Sequence, residues 1–100
     1  MPAAQFEQAL VEAIKSGDTI RISAIRSIKS SLKNEQIKLG HDLTELEVLR
    51  VVQREAKQRR DSITAYQTAA RPDLVQEEQA ELSIIEQFLP AEFANGRQSV

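Results

Sequence analysis

The spacing of glycine and proline is the feature that most constrains this chain of 100 residues. There are three Gly and three Pro, and four of these six stand at long intervals: Gly17, Gly40, Pro72 and Pro90. The segments between them are rich in Ala, Leu, Glu, Gln, Lys and Arg, which are good helix formers. So few turn residues leave little material for a β-sandwich or barrel. The sequence predicts an all-α fold, a small bundle of about four helices.

Local end signals bound the first two predicted helices. The first runs from about Ala4 to Ser16 and ends at Gly17, where a C-terminal cap favours glycine. Asp18 then supplies the N-cap of the second, which runs from Thr19 to about Leu39 and ends at Gly40. The apolar face predicted for this second helix consists of Ile25, Ile28, Leu32 and Leu39, flanked by Ile20 and Ala24.

Thr44 and Glu47 form the strongest start signal in the sequence. They make a capping box, in which the Thr44 hydroxyl accepts from the N3 amide and Glu47 reaches back to the cap amide. The third helix is predicted to bury a face made of Leu49, Val52, Ala56, Ile63, Tyr66 and Ala70. Pro72 opens a fourth helix and Pro90 ends it. The face predicted for the fourth helix consists of Leu74, Leu82, Ile85 and Leu89.

Charge is unevenly distributed along the chain. The formal net charge is −2, but residues 20–60 contain ten Lys or Arg against five Asp or Glu, whereas residues 61–100 contain two against seven. Two basic stripes are predicted at helical spacing: Arg26, Lys29 and Lys33 on the second helix, and Arg50, Arg54 and Lys57, with Arg60 at the edge, on the third. Such stripes on neighbouring helices would form a groove for a phosphate backbone. The alternative is a solvated face with local ion pairs such as Lys57 with Asp61.

The remaining polar candidates favour structural roles. Arg59 falls within the apolar arc of the third helix, where it either extends to solvent or pairs with an acid of another helix, such as Glu81. His41 is the only histidine and stands beside Asp42 with no evident Ser or Cys nucleophile, which argues against a metal site or a catalytic dyad. A phosphate-binding glycine loop and a nucleophile elbow are also missing. The sequence therefore predicts no catalytic residue, no metal and no cofactor.

Cysteine content and the character of the first residues bear on location. The chain has no cysteine, which excludes disulfides and zinc–thiolate sites and fits a reducing compartment. Its first residues lack the basic and apolar regions of a signal peptide, and no apolar stretch has the length needed to cross a bilayer. We therefore expect a cytoplasmic protein with no membrane partner.

Three segments, in this order and spacing, resemble a known family. They are residues 21–35, residues 43–49 running into 54–63, and residues 78–82 running into 88–90. The run KQRRDS at residues 57–62 and the closing Leu89-Pro90 are the more specific parts. From about Phe6 to Glu92 the chain resembles YqeY-like proteins. That family is related to the C-terminal tail region of the B subunit of the tRNA-dependent amidotransferase.

The resemblance implies a domain organisation and a link to tRNA. Residues 1–93 would be the helical N-terminal subdomain, and family members continue into a smaller helical subdomain. The polar character of residues 94–100 separately predicts a disordered tail. The related amidotransferase tail, and similar domains of some glutaminyl-tRNA synthetases, assist tRNA binding. Catalysis in the amidotransferase belongs to other domains, so the resemblance supplies no active-site residues.

The preferred interpretation is a tRNA-associated accessory domain without catalysis of its own. The seven basic residues of the two stripes would contact phosphates, and the partners would be tRNA and a tRNA-modifying or aminoacylating enzyme. One alternative is a protein–protein interaction module or homodimer that binds no nucleic acid. A second is a role related to the amidotransferase, a carbon–nitrogen ligase, which rests on relationship only.

Overall fold

A computed structural model of the chain describes residues 4–94, which form four long α-helices and one short helix. The helices are α1 (Ala4–Ser16), α2 (Thr19–Leu39), α3 (Glu45–Thr68), α4 (Pro72–Glu86) and α5 (Ala91–Ala94). The described residues contain no strand, and the predicted all-α bundle is confirmed. Residues 95–100 of the predicted tail lie outside the described residues, whereas Ala94 is the last residue of α5.

Local signals end α1 and begin α2 and α3 as predicted. Gly17 (φ +72°) and Gly40 (φ +76°) adopt the left-handed conformation after a helix, where any larger residue would be strained. Asp18 caps α2 by accepting a hydrogen bond at 3.0 Å from the amide three residues on. The capping box of α3 is complete, because the Glu47 amide donates to Thr44 Oγ1 at 3.1 Å and the Thr44 amide donates to Glu47 Oε1 at 2.9 Å.

The core lies where α2 packs against α1, α3 and α4. Its buried apolar residues are Phe6 and Ala13 of α1, Ala24, Ile25, Ile28 and Leu32 of α2, Val48, Val51, Val52 and Ala56 of α3, and Ile85 and Leu89 near the end of α4. The rings of Phe6 and Phe88 are tilted against each other with centroids 5.0 Å apart, which joins α1 to the segment after α4. The predicted face of α2 is confirmed at Ile25, Ile28 and Leu32.

Some predicted core positions are exposed instead. Ile20 and Leu39 are 46% and 39% exposed, and both lie in terminal turns of α2, where fewer neighbouring helices can cover a side chain. Ala70 is not part of α3, which ends at Thr68. It is exposed and takes a left-handed φ of +55° in the turn that leads into α4. No helix within residues 4–94 has the length and apolar character needed to span a membrane.

The buried face of α3 is rotated from the predicted one. Val52 and Ala56 are buried as predicted, but the same face also buries Val48, Val51 and Glu55. The other predicted positions in the helix, Leu49, Ile63 and Tyr66, are only half-buried. The additional buried residues precede the predicted ones by one position in each turn, and α2 packs on this face, where its serines donate hydrogen bonds to Glu55.

α4 ends earlier than predicted. Its last residue is Glu86, and the amides of the next three residues donate to carbonyls three residues back at 3.0–3.1 Å. These shorter-range hydrogen bonds replace the α-helical ones because the α conformation is disfavoured for the residue before Pro90. Pro90 therefore follows a tightened turn and leads into α5, and Leu89 reaches the core from outside the helix.

Candidate functional site

The α2 stripe (Arg26, Lys29 and Lys33) lies on an outer face of α2, as its helical spacing predicts. Arg26 and Lys33 are exposed, and neither has an acidic partner within ion-pair distance in residues 4–94. Lys29 is half-buried and pairs with Glu7 of α1. This ion pair directs Lys29 towards the side of α2 that borders α1.

The α3 stripe (Arg50, Arg54 and Lys57) lies on the exposed face of α3. Arg50 forms no ion pair among the described residues, although its charge contributes to the lowered pKa of Glu47 three residues before it. Arg54 Nη2, in contrast, lies 3.3 Å from Glu35 Oε1 of α2. Lys57 Nζ lies 3.0 Å from Asp61 Oδ2 one turn later, so the local ion pair considered from the sequence is present. The side chains of that pair are 68% and 67% exposed, and a pair so exposed adds little stability.

Arg60, predicted at the edge of the α3 stripe, faces α4. Its Nη2 donates to Glu86 Oε2 at 3.1 Å, and the Arg60 side chain is 27% exposed. This pair joins α3 to α4, so Arg60 has a structural role whether or not it also meets a ligand.

The two stripes lie on different sides of the bundle. Ser27 and Ser31 mark the side of α2 that faces α3, since both donate to Glu55 of that helix. Lys29 and Lys33 each follow one of these serines by two residues, which is about 200° around the helix axis. The α2 stripe therefore points away from α3, and no contact among the described residues joins it to the α3 stripe.

A buried carboxylate lies between α2 and α3. Glu55 is only 6% exposed, and it accepts hydrogen bonds from Ser27 Oγ at 2.7 Å and from Ser31 Oγ at 2.6 Å. These hydroxyl donors offset part of the cost of removing the carboxylate from water. Glu55 was not predicted as a functional or core residue, although its spacing from Val51 and Val52 places it on the buried face of α3.

Arg59 extends this polar contact to α4. Its Nη1 donates to Glu78 Oε1 at 3.2 Å, its Nη2 donates to Ser27 Oγ at 3.1 Å, and Nη2 lies 3.8 Å from Glu81 Oε1. The predicted pairing with an acid of another helix is confirmed, with Glu78 closer than Glu81. Arg59 Nε is buried and has no hydrogen-bond partner among the described residues. The network formed by Ser27, Ser31, Glu55, Arg59, Glu78 and Glu81 thus connects α2, α3 and α4.

His41 contacts both its own loop and the start of α3. Its Nδ1 lies 2.8 Å from the Asp42 carbonyl oxygen, and its Nε2 lies 3.7 Å from Glu47 Oε2. The hydrogen bond from the Thr44 amide, with a smaller effect of His41, lowers the pKa of the Glu47 carboxyl below its usual value. Residues 4–94 contain no group of three or more His, Asp or Glu side chains that could hold a metal ion.

An open apolar groove of about 560 Å³ lies beside the start of α3. It is lined by Phe6, Val48, Leu49, Val52, Phe88 and Pro90, together with Gln5, Glu45 and Leu46. Leu46 is 54% exposed, so this groove presents apolar surface to solvent.

Comparison with known families identifies the kind of domain. A family model described as Yqey-like protein matches residues 3–97, nearly the whole chain. The chain belongs to the YqeY-like family. The resemblance inferred from the three segments is therefore confirmed, and the helical bundle described above is the structure of a YqeY-like domain.

Curated yeast proteins share this YqeY-like region. Similar relatives come from Kluyveromyces lactis (34% identical over 89 residues, 88% of this chain and 48% of the relative), Lachancea thermotolerans (33% over 87 residues, 86% and 46%) and Saccharomyces cerevisiae strain YJM789 (35% over 81 residues, 80% and 44%). All three are named "Altered inheritance of mitochondria protein 41, mitochondrial". The chain spans somewhat less than half the length of these relatives.

These names contradict the predicted cytoplasmic location. The three relatives are named as mitochondrial proteins, so that prediction is wrong by this comparison. A lack of cysteine and of a secretory signal pattern, on which the prediction rested, is compatible with more than one compartment. Neither feature separates one reducing compartment from another.

Proposed function

We propose that this YqeY-like chain is a tRNA-associated accessory domain that contacts the phosphate backbone through basic residues of α2 and α3. One observation carries the proposal: Arg26, Lys33 and Arg50 are exposed and form no ion pair among the described residues. Exposed cations without partners attract a polyanion because each phosphate they neutralise releases condensed counterions. The choice of tRNA as the polyanion rests on the resemblance to the amidotransferase tail region.

The other four candidate residues have acidic partners in the fold. Lys29, Arg54, Lys57 and Arg60 would meet phosphates only by exchanging those partners or by sharing them. We therefore propose that Arg26, Lys33 and Arg50, which form no ion pair among the described residues, make the first contacts with phosphate groups. Because the two stripes lie on different sides of the bundle, an RNA that touches both would have to bend around α2 or contact two separate surfaces.

The proposed role is binding, with any chemistry supplied by a tRNA-modifying or aminoacylating enzyme. Glu55, which is buried, and Arg59, which is half-buried, hold helices together, and neither lines the apolar groove beside α3. The amidotransferase relation stays a proposal from the resemblance alone, since the names of the matched relatives refer to neither tRNA nor amidotransferase.

Fluorescence anisotropy with total tRNA at several salt concentrations tests the proposal. Neutralising two phosphate contacts in the variant Arg26→Gln/Arg50→Gln should reduce the slope of log affinity against log salt by about 2. Lys15→Gln is a control, because Lys15 is exposed on α1 outside both stripes. Absence of tRNA binding by the unmodified chain at low salt would refute the proposal, and an unchanged slope in the double variant would exclude these residues as the contacts.

Charge reversal at Arg54 and Lys57 is a second test. The variant Arg54→Glu/Lys57→Glu should weaken binding to all RNA sequences alike, because phosphate contacts position a ligand without reading bases. Both side chains are at least half exposed, so circular dichroism should show a folded variant. Equal affinities of the folded variant and the unmodified chain would exclude the α3 stripe.

The apolar groove beside Leu46 favours a second candidate function, a protein–protein module or homodimer. Apolar surface that remains open to solvent is a common feature of interaction sites. Analytical ultracentrifugation over a wide concentration range measures the homodimer directly. Dimerisation that Leu46→Glu abolishes, together with no tRNA binding at low salt, would favour this function over the first.

A further inference from the structure

The acids that pair with the stripe cations differ in how firmly the fold holds them. Glu35, the partner of Arg54, has a side chain that is only 19% exposed, and it belongs to a different helix. Asp61 and Glu7, the partners of Lys57 and Lys29, are 67% and 65% exposed. An exposed acid can turn towards solvent when a phosphate arrives, whereas a half-buried acid stays beside its cation.

We propose that Glu35 is an intramolecular competitor of phosphate for the Arg54 guanidinium; this rests on the proposed function. Arg54 Nη2 donates a hydrogen bond to Glu35 Oε1 at 3.3 Å. Glu35 therefore occupies a donor that a phosphate oxygen would use when it binds the arginine. Arg54 is 51% exposed, so a ligand can reach the guanidinium from the solvent side. Phosphate binding then requires Arg54 to leave Glu35 or to share its donors with it.

Competition by Glu35 determines which ligands the α3 stripe accepts. A single phosphate gains one contact with Arg54 but leaves an unpaired, half-buried carboxylate next to it, which is unfavourable. An extended phosphate backbone contacts Arg50, which forms no ion pair among the described residues, and Arg54 in the same event. The contact with Arg50 then offsets the loss of the Glu35 pair. The α3 stripe is therefore selective for polyphosphate chains such as RNA over mononucleotides or inorganic phosphate.

The test is the variant Glu35→Gln, which keeps the size of the side chain and removes its charge. We expect it to tighten tRNA binding by about threefold to fivefold at low salt, the scale of one partly exposed ion pair. We expect it also to raise affinity for inorganic phosphate, measured by the shift of the Arg54 guanidinium signals in NMR titrations. Asp61→Asn should tighten tRNA binding by less than about twofold, since Asp61 is free to turn away. Glu12→Gln removes an exposed charge of α1 that has no partner among the described residues and serves as the control.

A double-mutant cycle separates competition from a general change in net charge. In the background of Arg54→Gln, the substitution Glu35→Gln should alter tRNA affinity by less than about 1.5-fold, because the cation for which Glu35 competes is gone. The same gain with and without Arg54 would overturn the proposal and indicate long-range repulsion. A gain no larger than that of Glu12→Gln would overturn it as well. In both cases the unmodified chain still binds tRNA, whereas absence of that binding is the separate result that refutes the proposed function.

Discussion

The buried carboxylate of Glu55 makes a direct test of the fold possible, because two serines of one helix supply its hydrogen bonds. Ser31 Oγ donates to Glu55 Oε2 at 2.6 Å, and Ser27 Oγ donates to Oε1 at 2.7 Å. Ser31→Ala removes one donor from a charged acceptor that is 6% exposed. A hydrogen bond to a charged group stabilises the fold by about 1.5–3 kcal/mol. The higher helix propensity of Ala offsets about 0.5 kcal/mol of the loss. We expect the free energy of unfolding to fall by roughly 1–2.5 kcal/mol.

Ser27→Ala should be more destabilising than Ser31→Ala. The Ser27 hydroxyl also accepts from Arg59 Nη2 at 3.1 Å, so its removal affects a carboxylate and a guanidinium together. The additional lost hydrogen bond contributes about 1 kcal/mol. The expected order of stability is therefore unmodified chain, then Ser31→Ala, then Ser27→Ala.

Urea unfolding followed by far-ultraviolet circular dichroism measures these changes, and Ser30→Ala is the matched control. Ser30 lies in the same helix but is exposed and makes no side-chain hydrogen bond among the described residues. Its substitution should be neutral or slightly stabilising, because Ala has the higher helix propensity. If Ser31→Ala proves as stable as Ser30→Ala, the serine does not hold the buried carboxylate, and the reasoning about the polar contact between α2 and α3 is refuted.

Three further predictions concern local structure. Thr44→Ala should lower the free energy of unfolding by about 1 kcal/mol, because an amide of the first turn of α3 loses its acceptor, and Thr44→Ser should retain most of that stability in the same urea assay. The lowered pKa of Glu47 means that its ionised form stabilises the fold above its ordinary pKa of about 4.3, and that this contribution disappears as the pH falls through the lower folded value. Glu47→Gln should flatten the stability profile in that acid range; an unchanged profile would contradict the pKa shift. Ala70→Gly should raise the melting temperature slightly, because relief of left-handed strain of about 1–2 kcal/mol exceeds the entropic cost of glycine of about 0.5–1 kcal/mol.

The ends of α1 and α2 are predictable from the sequence because their determinants are local. Gly17 and Gly40 adopt positive φ, and Asp18 needs only an amide three residues away for its hydrogen bond. The end of α4 is harder to predict. Pro90 forbids helix at the residue before it, but the turn begins to tighten three residues earlier, where the segment after α4 packs onto the core.

The buried face of α3 is decided by packing between helices. Four of the five residues from Val48 to Val52 are apolar, so the pattern within α3 is compatible with more than one face. Glu55 counts as polar in any such pattern, yet it is buried because Ser27 and Ser31 of α2 meet its carboxylate. Those donors are 28 and 24 residues away in sequence, and periodicity within one helix carries no information about them.

The same limit applies to the basic stripes. Arg50 and Arg54 have the same chemistry, lie one turn apart and are both exposed, and helical spacing assigns them equal roles. The fold separates them, because Glu35 forms an ion pair with Arg54 and no acid of the described residues lies within ion-pair distance of Arg50. Glu35 precedes Arg54 by 19 residues, so their pairing depends on how α2 packs against α3. Helical phase therefore predicts which cations reach solvent. The acids of neighbouring helices determine which of those cations can bind a phosphate without first losing an ion pair.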